Sequence, residues 1–457
     1  DSKKFAYSCN KKSGRDYTVS TDTDIYLYDL ESGKTENLCK PDAARSNYGY
    51  DTAPQFSPDG KSIAWLSMEH DGYESDLNRL CVMDLATGER KYITEKPNGE
   101  KEAIFDSNVD SYCWAPDSKS LYFTGTWHGT TQVYNITTES KLTKMTEGDH
   151  DYNSVAMLGD NSLIMTRVSM SAPADIYAME AKAGAEVKQL TQENKHILDQ
   201  IAIGKVEARW CKSVDGKDLH SWVIYPPHFD PSKKYPVIGY VYGGPHSQMV
   251  QNTYQALLRR WEMYMAQRGY VVFVMDNRGT TNRGLAYEQA IHRQCGKAEM
   301  ADQIAGLKWL LAHPWCDSDR VGVHGWSYGG FMTISLMTNY PEIFKVGVAG
   351  GPVIDWKWYE VMYGERYMEN PETNPEGYAS TSLIPMAEKL RGKLLICQGA
   401  IDATVLWQHS LSFVRACVVK GVQVDYFPYP CHEHNVRGKD RVHLMQKVTD
   451  YFEDYLR

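Results

Sequence analysis

A chain of 457 residues is too long for one ordinary core, so two domains are expected. Its 42% hydrophobic and 23% charged residues are those of a globular chain, and a net charge of -9 argues against a nucleic-acid surface, which needs clustered Lys and Arg. No apolar run reaches the roughly 18 residues of a membrane span, and the 10 cysteines form no C-x-x-C pair, so neither a zinc site nor a dense disulfide scaffold is expected.

From the start to about residue 203 the sequence repeats. Ser57-Pro58-Asp59-Gly60-Lys61 precedes a strand, IAWLS, and Ala115-Pro116-Asp117-Ser118-Lys119 precedes another, LYFTG. A second kind of strand, each with its own turn, starts at Asp24, Arg79, Gln132 and Asp175, at intervals of 55, 53 and 43 residues. That period, with several short strands per unit, predicts blades of a β-propeller; a β-sandwich would not repeat its turns in register. Asp1 to Ser8 aligns on Asp59 to Ser67, which places the start of the chain inside a blade and leads us to expect further blades upstream of about four present here.

Between about 190 and 233 the pattern changes. VEARWCKSVDGKDLHSWVIYPP reads as two antiparallel strands around an Asp215-Gly216 turn. From Tyr235 onward, apolar strands (PVIGYVYGG, YVVFVMDNRG, RVGVHGW, FKVGVAGGP, KLLICQGAID, VDYFPYP) alternate with helical patterns near 254–267, 299–312, 328–339, 407–420 and 440–456. Continuous apolar strands separated by helices predict a mostly parallel sheet covered on both faces, the α/β-hydrolase class, with its site at the carboxyl ends of the strands. The expected domains are therefore 1–203, part of an all-β propeller, and 204–457, an α/β-hydrolase domain.

Gly325-Trp326-Ser327-Tyr328-Gly329 carries the chemistry. It fits the G-x-S-x-G elbow, in which a serine sits at a sharp strand-to-helix turn. Alone the pattern also describes a Gly-rich turn with an ordinary serine; the apolar strand before it and the helical pattern after it favour the nucleophile. Asp402 lies 75 residues later, just past KLLICQGAI, and His434 another 32 residues on, in the loop after VDYFPYP. The order serine, acid, histidine is that of an α/β-hydrolase triad. An aspartate capping a helix and a surface histidine are the ordinary alternatives, and the loop Cys431-His432-Glu433-His434 offers two histidines between which spacing does not choose.

The motifs GWSYGGFM, VYGGP at 241–245, GERYM at 364–368 and GAIDATV at 399–405 resemble the prolyl oligopeptidase family, in particular its dipeptidyl peptidase IV and prolyl tripeptidyl aminopeptidase branch. The resemblance spans most of 205–457, and in the propeller half only the architecture matches. It implies that His434 rather than His432 is the base. It also implies that the Tyr242 hydroxyl and the Tyr328 backbone N–H stabilise the oxyanion, and that Val353, Trp356, Tyr359, Tyr363 and Val405 wall a proline pocket. An aromatic run such as WKWYEVMYGERYM is, without the resemblance, a core helix. Thr404 stands where the dipeptidyl branch has an asparagine that contacts the substrate carbonyl. Glu360 matches a glutamate that binds the substrate ammonium in the tripeptidyl branch, while the Glu-Glu pair of the dipeptidyl branch is not found in these residues.

The expected function is that of a serine exopeptidase releasing di- or tripeptides after proline by acyl-enzyme chemistry, on peptide substrates and without cofactor or metal. The alternatives are a broader prolyl or acylaminoacyl oligopeptidase or esterase of the same fold, and a propeller interaction protein. The resemblance further implies a homodimer in the periplasm, at the cell surface or secreted.

Overall fold

The computed structural model describes residues 3–39, 49–72, 75–96, 102–159, 161–170, 172–200, 205–254 and 259–457. The chain divides into two units, one of residues 1–201 with 251–254 and 281–288, the other of 202–250, 255–280 and 289–457. The boundary expected between 203 and 204 lies outside the described residues.

In the first unit the strands form antiparallel sheets in sequence order, the mark of propeller blades. The first has three strands (Lys4–Cys9, Asp24–Asp29, Thr35–Asn37); the next three have four each, beginning at Tyr50, Val109 and Asp151. Their repeated turns have one physical cause. Asp29 Oδ1 accepts the N–H groups of Glu31 and Ser32, and Asp84 Oδ1 those of Ala86 and Thr87. Each turn closes four residues on at a glycine of positive φ, Gly33 (66°) and Gly88 (72°). Adjacent blades share cores: Ile25 and Leu27 pack with Ile63, Trp65, Cys81 and Met83, and Leu66 and Leu80 with Val109, Tyr112 and Phe123. The segment 281–288 belongs to this unit because Asn108 Nδ2 donates to Thr281 Oγ1 (2.7 Å) and to the buried Glu288 carboxyl (3.2 Å).

The second unit is built on eight strands, numbered here from its own start: β1 (Val206–Lys212), β2 (Asp218–Ile224), β3 (Tyr235–Tyr240), β4 (Val271–Asp276), β5 (Cys316–Trp326), β6 (Val346–Gly350), β7 (Lys393–Gly399) and β8 (Asp425–Tyr429). Their spatial order is β1-β2-β4-β3-β5-β6-β7-β8. β1 and β2 form the antiparallel hairpin around Gly216 (φ 81°), and β3 to β8 run parallel. The principal helices are α1 (Arg259–Gln267), α2 (Lys297–Leu311), α3 (Tyr328–Asn339), α4 (Val361–Met368), α5 (Gln408–Lys420) and α6 (Lys439–Leu456). Residues 255–258, where the first of these is expected to start, are not among those described.

The central strands are apolar throughout because helices cover both faces; every residue of β4 and β6 is buried. On one face Ile238, Val272, Val346, Val348 and Leu395 meet Trp261 and Met265 of α1 and Leu444, Val448, Phe452 and Leu456 of α6. That four-residue spacing on α6 is the apolar stripe that made it legible as a helix. On the other face Gly347 and Gly306 let helices approach closely: a Cβ at either would lie about 2 Å from a methionine sulfur, that of Met337 or Met275.

Candidate active site

β5 ends at Trp326 and α3 begins at Tyr328, leaving Ser327 alone at the corner with φ 63° and ψ -117°. A side chain in this conformation costs about 1–3 kcal/mol, so the surroundings must hold it. They do so through two backbone bonds: Ser327 N–H donates to Gly350 O (2.7 Å), and Phe331 N–H donates to Ser327 O (3.0 Å). The glycines on either side are sterically required. A Cβ on Gly325 or Gly329 would lie 2.2 Å from Val241 O. The turn thereby lifts the serine hydroxyl above the sheet at the start of a helix.

The acid and the base stand at the ends of β7 and β8. Asp402 is buried, and all of its lone-pair directions are used. Oδ1 accepts the backbone N–H groups of Thr404 and Val405 (both 2.9 Å), while Oδ2 accepts Gln398 Nε2–H (2.8 Å) and faces His434 Nδ1 at 2.7 Å. A carboxylate accepts only, so His434 carries its proton on Nδ1 and leaves Nε2 free to take one from Ser327. His432 is directed elsewhere; its Nε2 lies 2.7 Å from the exposed Asp440 carboxylate. Trp326 Nε1–H donates to His434 O (2.9 Å), tying the base's loop to the elbow.

Two donors are available to a developing oxyanion. The Tyr328 N–H, as the first of α3, has no acceptor within its own helix. The Tyr242 hydroxyl shares the cavity with Ser327, and burial raises its pKa, so it stays protonated as a donor. The Tyr328 side chain points away into the core, where its hydroxyl donates to Glu299 Oε1 (2.6 Å). Glu299, in the first turn of α2, also accepts the Gly296 N–H (2.8 Å), and burial pushes its carboxyl up to about 7.

Ser327 and His434 open on a cavity of about 460 Å³. Of the expected substrate-binding residues, Tyr359, Glu360, Tyr363 and Thr404 line it. Val353, Trp356 and Val405 do not line it and are buried at 0–2% exposure; Trp356 stacks on Tyr363 (6.1 Å) and lies edge-on to Tyr359 (5.5 Å). Glu360 is exposed at the N-terminus of α4, its carboxylate open to a cationic partner. Tyr359 and Tyr363 meet edge to face at 5.4 Å and give the cavity an aromatic wall.

Sequence reasoning missed the residues that hold these groups. Gln398, fully buried one residue before the end of β7, bridges Asp402 Oδ2, Val405 O (3.0 Å) and the Ser410 hydroxyl (2.8 Å). No spacing rule flags a strand-end glutamine. Glu299 was legible in principle as an acid three residues after Gly296 at a helix start. In the first unit, Asp24, Cys39 and Asp51 bring three potential metal-ligand atoms within 4.8 Å of one another, and burial raises the Asp51 carboxyl to about 6 while it accepts Trp65 Nε1–H.

A serine at a strand-to-helix corner, followed by an aspartate and a histidine on later strand ends of a mostly parallel sheet, defines an α/β-hydrolase with a serine nucleophile. Residues 258–457 match the prolyl oligopeptidase family, and residues 14–199 match the TolB β-propeller domain. The chain belongs to the prolyl oligopeptidase family. It is 35% identical over 447 residues to dipeptidyl-peptidase 5 of Porphyromonas gingivalis, covering 95% of this chain and 62% of that protein. The crystal structure of P. gingivalis dipeptidyl peptidase 4 is similar at 25% identity and a TM-score of 0.74, over 95% of this chain and 67% of that one. The Pyrococcus horikoshii acylaminoacyl peptidase shares the fold, with a TM-score of 0.82 at 21% identity over 99% of this chain and 69% of that one.

Proposed function

We propose that this chain is the catalytic part of a serine exopeptidase that removes dipeptides from the free amino terminus of oligopeptides. The observation that carries this is the Asp402–His434 contact of 2.7 Å beside Ser327, opening on a cavity walled by Tyr359 and Tyr363 and edged by Glu360. Ser327 Oγ attacks the carbonyl carbon as His434 Nε2 takes its proton. The oxyanion is met by Tyr242 and the Tyr328 N–H, His434 returns the proton to the leaving amine, and water repeats the sequence on the acyl-enzyme.

Proline ahead of the scissile bond, with alanine second, suits the aromatic wall of Tyr359 and Tyr363, since a small rigid ring needs no N–H acceptor. Glu360 suits the substrate ammonium. Dipeptide release is favoured over tripeptide release by the dipeptidyl peptidases among its relatives; the tripeptide reading rests on Glu360 alone. A length-resolved digest of unblocked and N-acetylated Xaa-Pro and Xaa-Ala peptides, with nitrophenyl esters beside them, tests the proposal. Dipeptides from unblocked chains are expected. Rapid ester hydrolysis without peptide cleavage would overturn it in favour of an esterase.

A homodimer in the periplasm, at the surface or secreted completes the proposal. The family resemblance supports it, as do the exposed apolar Leu411, Val418 and Val419 on α5 with Leu406 and Trp407 just before it. Sedimentation velocity tests the dimer: a species of one chain's mass at micromolar concentration would refute it. No helix among the described residues is long and apolar enough to cross a membrane.

A further inference from the structure

The cavity at Ser327 has a second wall that the proposed reaction has not yet used. Tyr240, Trp261, His324, Asn435, Arg441 and Met445 line it, drawn from β3, α1, β5, the loop after His434 and α6. Tyr240 pairs with His324 across β3 and β5, and strand alternation places the two on the same face as Tyr242 and Trp326 two residues further on. The wall therefore runs along the strands from the oxyanion tyrosine and the elbow into the space beneath α1 and α6.

Its surface is rigid and largely apolar. Trp261 meets the His324 ring edge to face at 4.9 Å, and its indole N–H is taken by Thr449 Oγ1 (3.0 Å). Tyr240 meets the His324 ring edge to face at 5.6 Å. His324 Nδ1 lies 2.8 Å from Val348 O, so Nδ1 carries the hydrogen and Nε2 is left as an acceptor. Burial keeps this ring neutral, pushing it down to about 4. Met445 adds a side chain that adapts to irregular shapes. The buried Glu262 and the half-buried Arg441 both stand near Tyr240.

With Tyr359, Glu360 and Tyr363 assigned to the acyl part of the substrate, this wall is the part of the same cavity left for the departing part, to whose amine His434 hands the proton. We propose that Tyr240, Trp261, His324 and Met445 form the subsite for the residue just after the scissile bond, and that it takes a bulky apolar side chain, aromatic ones first. This rests on the reading of Ser327 as a peptidase nucleophile.

Partition of the acyl-enzyme tests it apart from that reading. The enzyme is acylated with glycyl-prolyl-nitroanilide in the presence of equal concentrations of glycinamide, leucinamide, lysinamide or phenylalaninamide. The amine nitrogen attacks the acyl carbon, the bond to Ser327 Oγ breaks, and the amine's proton returns through His434 to Oγ. Phenylalaninamide is expected to capture the acyl group roughly tenfold or more better than glycinamide, the scale on which apolar pockets discriminate. Met445→Trp, which fills the lobe, should bring that ratio to within about twofold. Met445→Ala, which enlarges it, should keep the aromatic preference and extend it to tryptophanamide. A flat wild-type series, or a preference for glycinamide or lysinamide, would overturn the subsite while leaving the peptidase intact. Absence of nitroaniline release would overturn the peptidase reading, and the subsite with it.

Discussion

Asp402→Asn isolates the orienting role of the acid because the structure assigns each of its oxygens a separate task. The asparagine can keep an oxygen toward the Thr404 and Val405 N–H groups, so the turn after β7 is retained. Its amide nitrogen then faces two partners that Oδ2 accepted, Gln398 Nε2–H and His434 Nδ1–H. To meet a donor, His434 must deprotonate Nδ1 and carry its hydrogen on Nε2, the tautomer that cannot take the serine proton. The expected loss in kcat is about ten-thousandfold, as for this change in other triads, or about 5 kcal/mol of barrier. Stability should fall far less, by about 1 kcal/mol for the lost Gln398 bond. Steady-state cleavage of a dipeptidyl nitroanilide, with thermal unfolding alongside, measures both. A loss below tenfold, or one confined to KM, would show that Asp402 does not set the tautomer.

The other expectations follow from neighbouring contacts. His434→Ala should cost several orders of magnitude in rate, because a triad acts as a unit. His432→Ala should stay within about threefold, since its partner Asp440 is exposed and such pairs contribute at most about 1 kcal/mol; kcat/KM for the two variants decides, and the reverse ranking would mean the base is misassigned. Tyr242→Phe removes one oxyanion donor and should lower kcat by about a hundred- to a thousandfold with KM little changed; an unchanged kcat would leave the Tyr328 N–H as sole donor. Glu299→Gln should alter the pH dependence of stability. The folded carboxyl titrates near 7 against an ordinary 4.5, so on raising the pH the unfolded chain loses this proton first, and the wild type loses stability between about 4.5 and 7 and no further above. That gap is worth about 3 kcal/mol, so chemical denaturation at pH 4.5 and pH 8 should show the variant gaining about that much on the wild type; parallel pH curves would contradict the buried titration.

The elbow was legible because its glycines answer to sterics that act within a few residues, and α3 runs over 328–339 as its pattern indicated. The start of α2 was missed by two residues, since Gly296, at φ 95°, rather than a polar cap begins it. The aromatic run from Trp356 to Met368 divides in the structure: Trp356 is core, while Tyr359 and Tyr363 line the cavity. Gln398 and the Tyr240–His324 wall were out of reach. Each depends on which strand lies beside which, and Trp261 and Met445, 184 residues apart in sequence, come together only because α1 and α6 cover one face of the sheet. The docking of 281–288 onto the first unit rests likewise on a buried partner, Asn108, far away in sequence.

The central claim is that Ser327 is the one hydroxyl activated for acyl transfer. A fluorophosphonate probe, followed by peptide mapping in a mass spectrometer, tests it most directly. A single adduct on Ser327, accumulating in step with the loss of peptidase activity and absent from Ser327→Ala, is the predicted result. An adduct on another serine, or activity that survives Ser327→Ala, would contradict it.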